Sequence, residues 1–599
     1  MLLHGKYVNK YYLRFALFFI IGILALVAVD IVQLKLPELL GEVVDLLEDG
    51  VINEAVKKSV TSIALEILAV CGVMFIGRVS WRISLFYASH KIEADIRHNM
   101  FLKSEQLSRK YFYENKVGTI MNWFTTDIEE IETYFGWGTL MLVDAIFMSI
   151  LVVIKMLKLD WVMSIICFIP AILLIVWGFF VEKYMDLKWK QRQGAFDKLY
   201  DFSQENFTGI RVIKAFVKET KEIHHFAKVA KNNMDVNISF ARLSVIFDVI
   251  IEIILGTVFA LLLGLGGWFT YSYISGNQIT IFNYSINMSA SKLVTFTGYF
   301  DSLIWPTIAL GQVLMMKSRA SASLKRISGF LDATIDVKNP LNPITLKDIK
   351  GNITFKNFTF YYPNSKVPHL KNISLEIKSG ETIGIVGRIG CGKTTLCNIL
   401  LRLFNVSKNA VFIDDIDIMD AELSSLRENI AFVPQDNFLF SDSIKRNIAF
   451  FDVNTAMEEV EQAAVFADVD NNIKDFDKGY ETVCGERGVT LSGGQKQRVS
   501  IARAYIKKAP IMILDDSVSA VDVKTEETIL HNIIEQRKGL TTIVAASRVS
   551  TVSSLDKIIV LNNGELEAFD TPENLLKTSK TYQTMVYLQQ LEKEVEGGN

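Results

Sequence analysis

This chain of 599 residues has few charged residues, little excess of either charge and few cysteines. Only 22% of the residues are charged, against about 25% in soluble domains, and 50% are hydrophobic, which excludes a disordered or fibrous chain. The net charge of −3 provides no basic face, so nucleic acid is excluded as a partner. The five cysteines are an odd number without metal-like spacing, which predicts reduced, mostly buried thiols instead of a disulfide framework.

Long hydrophobic runs account for this composition. The mean hydropathy is +0.26, and the apolar excess lies almost wholly before residue 325. A membrane span needs about 20 mostly apolar residues. The segments that satisfy this requirement are 13–36, 60–87, 136–157, 159–181, 243–273 and 284–316. The first contains no small-residue cleavage site, so it is predicted to be a retained span and not a signal peptide.

Two charged stretches, 88–135 and 182–242, separate the spans and are predicted to be helical. The second carries eleven lysines and arginines between Lys183 and Lys231, whereas the segments 37–59 and 274–283 hold only Lys57 and Lys58. By the positive-inside rule the two stretches, both termini and the C-terminal half are cytoplasmic. This pattern predicts a multi-pass protein of the plasma membrane.

Gly118 and Gly209 lie near the middle of the two stretches and are predicted to mark short connecting helices at their tips. A helix over 88–107 would extend about 30 Å beyond the bilayer, at about 1.5 Å per residue. Two interpretations remain open: a solvated helical loop, or a lever that reaches a cytoplasmic domain.

The composition changes at Asn339–Pro340 and Asn342–Pro343, which mark a linker. Beyond it, short apolar runs alternate with helical stretches, which predicts an α/β domain. The predicted strands are Ile353–Phe360, Thr382–Val386, Ile511–Leu514, Thr541–Ala545 and Lys557–Leu561. The predicted fold is an all-α transmembrane domain of six helices over 1–325, a linker over 326–350 and an α/β P-loop nucleotide-binding domain over 351–599.

The segment Gly387-Arg-Ile-Gly-Cys-Gly-Lys393-Thr394 fits the P-loop pattern between a predicted strand and a predicted helix over 395–403. Its glycines allow backbone N–H groups to face phosphate, and the helix N-terminus adds favourable potential. Lys393 is predicted to reach the outer phosphates of ATP, and the hydroxyl of Thr394 suits Mg²⁺. The predicted phosphate-binding positions are Gly387, Gly390, Gly392, Lys393, Thr394 and Thr395.

The apolar strand Ile511–Leu514 ends in two carboxylates, of which Asp515 is predicted to bind Mg²⁺ through water. Leu491-Ser-Gly-Gly-Gln495 opens a predicted helix that continues to about Lys507. Alone, such a turn is typical of a helix cap. Its place between a P-loop and an Asp strand instead indicates a nucleotide contact through Ser492, Gly493, Gly494 and Gln495.

In this order the motifs resemble those of an ATP-binding cassette exporter half over essentially the whole chain, in particular the degenerate-site subunit of a heterodimeric bacterial multidrug-type exporter. The resemblance implies that Tyr362 stacks on adenine and that Gln435 is linked to Mg²⁺ and the attacking water. It implies that the residues around Glu486 contact the membrane levers and that Ser519–Asp522 crosses to an opposing nucleotide domain. It also implies that 118–127 and 209–216 flank or form coupling helices, which lie near Arg109–Lys116 and Gly209–Phe216.

Two positions depart from the family pattern, which implies a Glu after the strand Asp and a His before Arg548. Asp516 is one methylene shorter than the Glu that activates water, and such displacement can cost about 10²-fold in rate. Ser547 stands at the His position and cannot carry a proton as imidazole does. Both losses concern hydrolysis, whereas Lys393 and Thr394 are retained. The sequence therefore predicts a site that binds ATP and hydrolyses it poorly.

The family architecture implies that each ATP lies between one P-loop and the Leu-Ser-Gly-Gly-Gln turn of the opposite nucleotide domain. A weak P-loop face with an intact Leu491–Gln495 predicts a heterodimer in which a second half-transporter carries the competent site. The predicted function is ATP-driven export of a small amphipathic substrate, with membrane lipid as a further partner. Alternatives are a regulatory or channel-like ATP-binding subunit, a homodimeric slow ATPase, and a lipid or peptide exporter.

Ionisable residues inside predicted spans are costly and are therefore functional candidates. Asp248 and Glu252 lie four residues apart and share a helix face. The other candidates are Asp301, near Trp305 and Pro306, together with Asp144 and Arg78. These residues indicate either helix–helix pairing or an acidic, aromatic-rich cavity for amphipathic cations.

Overall fold

The structure, a computed structural model, describes residues 3–48, 54–276, 279–281, 284–363, 365–485, 488–519 and 521–597. The chain divides into two compact units. The first consists of Met1–Phe101 and Met121–Leu331, and the second of Leu102–Ile120 and Asp332–Asn599. A short segment from the N-terminal half therefore belongs to the same unit as the nucleotide-binding half.

Helices dominate the chain up to residue 331. They are α1 (Asn9–Arg14), α2 (Ala16–Gln33), α3 (Lys35–Glu48), α4 (Glu54–Gln106), α5 (Arg109–Glu114), α6 (Val117–Asn122), α7 (Ile128–Thr133), α8 (Thr139–Val143), α9 (Ser149–Leu159), α10 (Trp161–Thr208), α11 (Ile210–Ala215), α12 (Glu219–Ile274) and α13 (Ala290–Leu331). Three π-helical turns, Trp123–Asp127, Tyr134–Gly138 and Asp144–Met148, interrupt the stretch from α6 to α9. The short strands β1 (Thr280–Ile281) and β2 (Tyr284–Ser285) form an antiparallel pair.

The long helices exceed the thickness of a membrane. α4 has 53 residues and α12 has 56, so each is about 80 Å long at about 1.5 Å per residue, whereas the hydrocarbon core of a bilayer is about 30 Å thick. Gly209 is the N-cap of the short helix α11, as predicted, whereas Gly118 is the second residue of α6, which follows the short helix α5.

Among the described residues, four helical stretches are long and apolar enough to cross a membrane: Ala16–Glu48, Glu54–Gln106, Val117–Leu159 and Glu219–Ile274. The first includes most of the predicted span 13–36, and the other three include all of 60–87, 136–157 and 243–273. The predicted span 159–181 falls mostly in α10, and 284–316 begins ahead of α13, at β2. The count of six crossings stays a prediction.

An ion pair between a buried carboxylate and a half-exposed guanidinium joins the third of these stretches to α13. Asp127 is 2% exposed, and its carboxylate accepts hydrogen bonds from Arg326 at 2.6 and 2.7 Å and from Ser323 at 3.0 Å. Such a two-pronged contact fixes both side chains, because the guanidinium presents two N–H groups to two oxygens. α13 continues to Leu331, so the first six residues of the predicted linker are helical.

A ten-stranded sheet organises the described part of the second unit, in the order β7-β6-β3-β4-β12-β11-β5-β10-β9-β8. The strands are β3 (Ile353–Phe360), β4 (Leu370–Ile377), β5 (Thr382–Gly387), β6 (Val411–Ile413), β7 (Ile416–Asp417), β8 (Ile430–Val433), β9 (Ile511–Asp515), β10 (Thr541–Ala545), β11 (Lys557–Asn562) and β12 (Glu565–Asp570). β11, β5, β10, β9 and β8 are parallel to one another. The five strands predicted from the sequence are confirmed, to within one residue at their ends.

Helices cover this sheet: α14 (Lys393–Leu400), α15 (Leu423–Glu428), α16 (Ile444–Ile448), α17 (Met457–Phe466), α18 (Asp470–Lys474), α19 (Gly493–Tyr505), α20 (Val523–Gln536), α21 (Pro572–Thr578) and α22 (Lys580–Gly597). β9 is buried along its whole length because alternate residues enter two separate cores. Ile511 and Ile513 pack in one core, and Met512 and Leu514 in the other. The predicted thiols are confirmed: all five cysteines are free, and only Cys71 is exposed.

Candidate nucleotide-binding site

The carboxyl ends of four neighbouring parallel strands bring the predicted nucleotide residues together. β5 leads into the P-loop, β10 precedes Ser547, β9 ends at Asp515 and β8 precedes Gln435. Because parallel strands end at the same edge of a sheet, these segments converge although more than 150 residues of chain lie between the first and the last. Ligands of open α/β sheets bind at this edge.

The P-loop adopts a backbone that requires glycine at its two ends. A Cβ on Gly387 would lie 2.2 Å from the carbonyl oxygen of Leu561, which no side chain tolerates. Gly392 has φ of +108° and is the N-cap of α14. Lys393, the first residue of α14, donates its Nζ to the carbonyl oxygen of Gly387 at 2.8 Å. The ammonium therefore lies within the loop that the glycines form.

The oxygens of Thr394 and Asp515 form a candidate Mg²⁺ site. The Thr394 hydroxyl donates to Oδ1 of Asp515 at 3.1 Å. Asp515 is 1% exposed, and its Oδ2 has no hydrogen-bond partner among the described residues. An orphaned buried carboxylate oxygen beside a hydroxyl fits a hard cation that takes oxygen ligands, directly or through water. Bound Mg²⁺ would offset the negative charge of phosphate oxygens.

Electrostatics around Asp515 agree with this assignment. Burial raises the pKa of Asp515, and the neighbouring carboxylate of Asp516 adds to the increase. The hydrogen bond from Thr394 and the positive charges of Lys393 and Arg109 act in the opposite direction. Desolvation thus dominates at this carboxyl, and a bound cation would favour its ionised form.

Asp516 follows β9, and its carboxylate faces side chains that follow β8 and β10, the two strands beside β9. Its backbone is left-handed, with φ of +49°, and its N–H donates to the carbonyl oxygen of Ala545 at 2.8 Å. Gln435 Nε2 lies 3.3 Å from Oδ2 of Asp516, and Ser547 Oγ lies 3.4 Å from Oδ1. Asp516 therefore contacts both of the other residues predicted at the hydrolytic positions.

Tyr362 lies beside the P-loop helix. Its hydroxyl is 2.9 Å from the hydroxyl of Thr395. Its ring packs edge-to-face against His369 and Phe404, with centroid distances of 4.7 and 5.4 Å. These contacts fix the aromatic ring next to the predicted phosphate-binding residues.

The Leu-Ser-Gly-Gly-Gln turn forms a capping box at the start of α19. The backbone N–H of Ser492 donates to Gln495 Oε1 at 2.9 Å, and that of Gln495 donates to the Ser492 hydroxyl at 3.3 Å. Ser492 and Gly493 are exposed. The helix ends at Tyr505, two residues before the predicted end. The turn is thus a rigid, accessible helix N-terminus, which is required both for a helix cap and for a nucleotide contact.

Two further predicted contact segments are described in part. Ser519 donates its hydroxyl to the carbonyl oxygen of Asp516 at 2.9 Å, and Asp522 caps α20 by accepting from the N–H of Thr525. Ala520, between them, and Glu486 lie outside the described residues.

The short helix α5 belongs to the unit that carries this site. Lys110 Nζ lies 3.5 Å from Oδ2 of Asp336, at the start of the nucleotide-binding half. Of the two predicted coupling segments, the one that contains α5 is therefore packed within the nucleotide unit, while α11 is part of the other unit.

Two residues of interest were missed by the sequence analysis, one for its burial and one for its contacts. Asp30 lies in the first predicted span and is buried; the rule on ionisable residues in spans applied to it as well. Gln589 on α22 accepts from the backbone N–H groups of Val549 and Ser550 at 3.0 and 3.1 Å and donates to the Ser550 hydroxyl at 2.6 Å. No sequence pattern signals this contact, since it depends on how α22 packs.

Comparison with known proteins gives consistent matches over the two halves. The family model described as "ABC transporter transmembrane region" matches residues 19–306, and the model described as "ABC transporter" matches residues 370–519. A Bacillus subtilis protein with the name "Probable multidrug resistance ABC transporter ATP-binding/permease protein YheI" is 32% identical, over 99% of this chain and 98% of its own. The "Multidrug resistance-like ATP-binding protein MdlA" of Escherichia coli is 33% identical, over 95% and 93%.

Among solved structures, a bacterial Atm1-family ABC exporter with ATP bound has the same fold. Its TM-score is 0.77, with 23% sequence identity over 97% of this chain and 99% of that chain. The likeness extends over both the helical half and the nucleotide-binding half.

Proposed function

The chain belongs to the ABC transporter family, and we propose that it is one half of a heterodimeric exporter that uses ATP to move a small amphipathic substrate out across the plasma membrane. Relatives that match almost the full chain are named as multidrug resistance proteins, which supports export of this substrate class. Both a membrane region and an ATP-binding region are present on one chain, as in those relatives.

The proposal depends chiefly on the environment of Asp516. Both of its carboxylate oxygens face protein donors, Gln435 on one side and Ser547 on the other. A base that activates water must place a carboxylate oxygen within hydrogen-bonding distance of that water, and its side-chain length sets this distance. Asp516 is shorter than Glu, and a serine hydroxyl remains neutral at physiological pH. The residues for phosphate and Mg²⁺, Lys393 and Thr394, are nevertheless in place.

Retained binding residues together with altered hydrolytic residues favour a dimer that has two different ATP sites. In the proposed heterodimer, the P-loop of this chain binds ATP and hydrolyses it poorly. The partner's P-loop carries out hydrolysis against the exposed turn Leu491–Gln495 of this chain. ATP binding closes the nucleotide domains, the segments containing α5 and α11 transmit that closure to the membrane helices, and hydrolysis at the partner's site resets the cycle.

A charge placed at Gly493 tests the composite site. A Cβ at this position meets nothing within 4 Å, so Gly493→Asp and the neutral Gly493→Asn both fit the isolated domain. Gly493→Asp would set a carboxylate against the phosphates bound by the partner, and we expect it to reduce hydrolysis by the complex about 100-fold or more. Gly493→Asn should retain much more activity.

A nearby control is Thr490→Ala, since the Thr490 hydroxyl donates locally, to the carbonyl oxygen of Val483 at 3.3 Å. Equal activity of the Gly493→Asp complex and the wild type would contradict the composite site. A stable homodimer of this chain with fast ATP turnover would favour the homodimeric alternative. Cargo-independent, hydrolysis-free conductance would favour the channel-like one.

A further inference from the structure

A cavity of about 360 Å³ lies among the helices of the first unit. α2, α4, the π-helical turn that begins at Asp144, and α13 contribute its walls. Three of the ionisable residues singled out from the sequence line it: Arg78, Asp144 and Asp301. Asp248 and Glu252 do not; they are exposed on α12. The structure thus separates the candidates into one group that shares a cavity and one that does not.

Asp30, which the sequence analysis overlooked, is the most enclosed acidic residue of this cavity. It is 6% exposed, and its Oδ2 has no hydrogen-bond partner among the described residues. A buried carboxylate without a partner is costly unless a ligand or a counter-charge satisfies it. Asp30 is one of the residues that line the cavity, so its carboxyl group lies at the wall that an occupant would contact.

Asp144 has one oxygen bound and one free. Its Oδ2 accepts the indole N–H of Trp305 at 3.0 Å, while Oδ1 is buried and without a partner in the described part of the chain. The indole holds the carboxylate in place without neutralising it, because Trp donates a neutral hydrogen bond. Asp144 is therefore oriented and still carries its acceptor capacity.

The charged side chains that line the cavity do not balance. Among the described residues, three are carboxylates, Asp30, Asp144 and Asp301, and one is a guanidinium, that of Arg78. Arg78 also donates to Gln33 at 3.4 Å. In a region of low dielectric constant such an excess of negative charge favours a positively charged occupant.

The remaining walls are apolar and aromatic. Leu26, Val29 and Met148 line the cavity, and so do the rings of Trp81 and Trp305. Indole faces attract cations, especially those whose hydration shell is weak. A bare inorganic cation would gain little from these walls, whereas an organic cation can use both the carboxylates and the rings.

We propose that this cavity binds the cationic group of an organic substrate, with Asp30 and Asp144 as its carboxylate contacts and Trp305 as an aromatic wall. The proposal deepens the proposed export function, because it assigns a charge to the substrate and a place to its recognition. It predicts preference for lipophilic monocations over anions of the same shape.

Binding of tetraphenylphosphonium to the full chain in lipid nanodiscs, without nucleotide, tests the site. Tetraphenylborate has the same shape and the opposite charge, and empty nanodiscs correct for partition into lipid. We expect saturable binding of the cation only. Asp30→Asn and Asp144→Asn, which keep the side-chain volume, should each weaken it by about tenfold or more. Asp248→Asn, an identical change at an exposed position of α12, should leave it within about twofold.

Retained binding of an ATP analogue shows that each variant is folded. If Asp30→Asn fails to fold, Asp144→Asn alone decides. The proposal would be overturned if wild type did not bind the cation, or if tetraphenylborate bound equally well. It would also be overturned if the cavity variants bound the cation as wild type does, or if Asp248→Asn lost as much binding as they do. Since this assay needs no ATP, a chain that binds the cation but supports no ATP-driven transport would refute the export function and leave the site standing. Conversely, if the complex carries out ATP-driven transport and its cavity variants bind the cation normally, the export function would stand and the cavity site would be refuted.

Discussion

The hydroxyl of Ser547 lies 3.4 Å from Oδ1 of Asp516, and the other oxygen of the same carboxylate faces Gln435. The family pattern described above has a His, a Glu and a Gln at these three positions, and they act together on water. Here a shorter acid is placed between two neutral donors. The geometry of this trio leads to the first prediction.

Asp516→Glu combined with Ser547→His should raise ATP turnover by the isolated chain by about tenfold or more, because the longer acid reaches water and imidazole exchanges protons near neutral pH. Steady-state phosphate release, measured in wild type, both single variants and the double variant, checks this. The single changes should have smaller effects than the pair. Fast hydrolysis by the unmodified chain would contradict the premise of this prediction, which is that the native site hydrolyses ATP poorly.

Removal of Mg²⁺ should affect nucleotide binding through Asp515. Asp515→Asn should weaken Mg²⁺-dependent ATP binding by about 10- to 100-fold, since residues that hold a cation through water typically contribute this much. Titration of a fluorescent ATP analogue gives the affinities. With excess EDTA the wild type and the variant should bind alike. A difference that persists in EDTA would show that Asp515 acts on the fold of the loop and not on the cation.

Lys393→Ala should weaken nucleotide binding at this chain's own P-loop while turnover at the partner's site persists in part. Loss of a charge-assisted contact costs about 1.5–3 kcal/mol, or about 10- to 100-fold in affinity. Changing the partner's catalytic Glu to Gln should instead nearly stop turnover while both sites retain ATP. Nucleotide stoichiometry and ATPase rates of the two complexes distinguish these outcomes. Equally complete loss of hydrolysis in both complexes would mean that the sites are equivalent or strictly coupled.

Gln589→Leu should loosen the segment that follows Ser547, because it removes the hydrogen bonds from Gln589 to Val549 and Ser550. We expect the free energy of unfolding of the nucleotide unit to fall by about 1–3 kcal/mol. Amide hydrogen exchange in a peptide that spans 547–552 should become faster. Gln590→Leu is the matched control, since Gln590 is exposed on the same helix. Unchanged exchange in Gln589→Leu would show that other contacts hold this segment.

Asp414 should give the stability of the nucleotide unit a dependence on acid pH. Burial acts to raise its pKa, but hydrogen bonds from the backbone and side chain of Asn352, at 2.7 and 2.8 Å, and from Gly351, at 3.1 Å, outweigh burial and lower it. The ionised form therefore stabilises the fold above the unfolded-state pKa of about 3.9, and this contribution is lost as the pH falls through the lower, folded-state pKa.

Asp414→Asn is the suitable variant, because Asn also tolerates the left-handed backbone at this position, where φ is +47°. Chemical denaturation of both proteins should show a gap in stability that is constant from pH 7 to about 5 and shrinks below about pH 4. A gap that grows on acidification would contradict the assigned direction of the pKa shift.

Local signals were sufficient to predict the strands of the nucleotide unit and the positions of its motifs. Thr541–Ala545 was predicted with the bounds that it has, because a short apolar run between polar turns is typical of a buried parallel strand. The P-loop was identified for a similar reason: its glycines are required by a backbone that any phosphate-binding loop of this kind must adopt. In both cases the relevant forces act over a few residues.

Long-range packing limited the rest. Asp248 and Glu252 share a helix, as their spacing predicted, yet they are exposed, and spacing alone cannot tell which face of a long helix meets other helices. Asp30, Asp144 and Asp301 come from three separate segments and meet only because those segments pack together. The strand order of the sheet also joins β12 to β4 and β8 to β9 across long stretches of chain, and no local pattern contains that information.

The grouping of Leu102–Ile120 with Asp332–Asn599 has a practical consequence for building hybrid transporters. A graft that exchanges only the chain after residue 331 for that of a relative would leave α5 facing foreign side chains, and the contact between Lys110 and Asp336 would be lost. The exchangeable module is discontinuous: residues 102–120 must travel with the nucleotide-binding half. Natural variation is subject to the same requirement, so substitutions at Lys110 and Asp336 should be correlated among relatives.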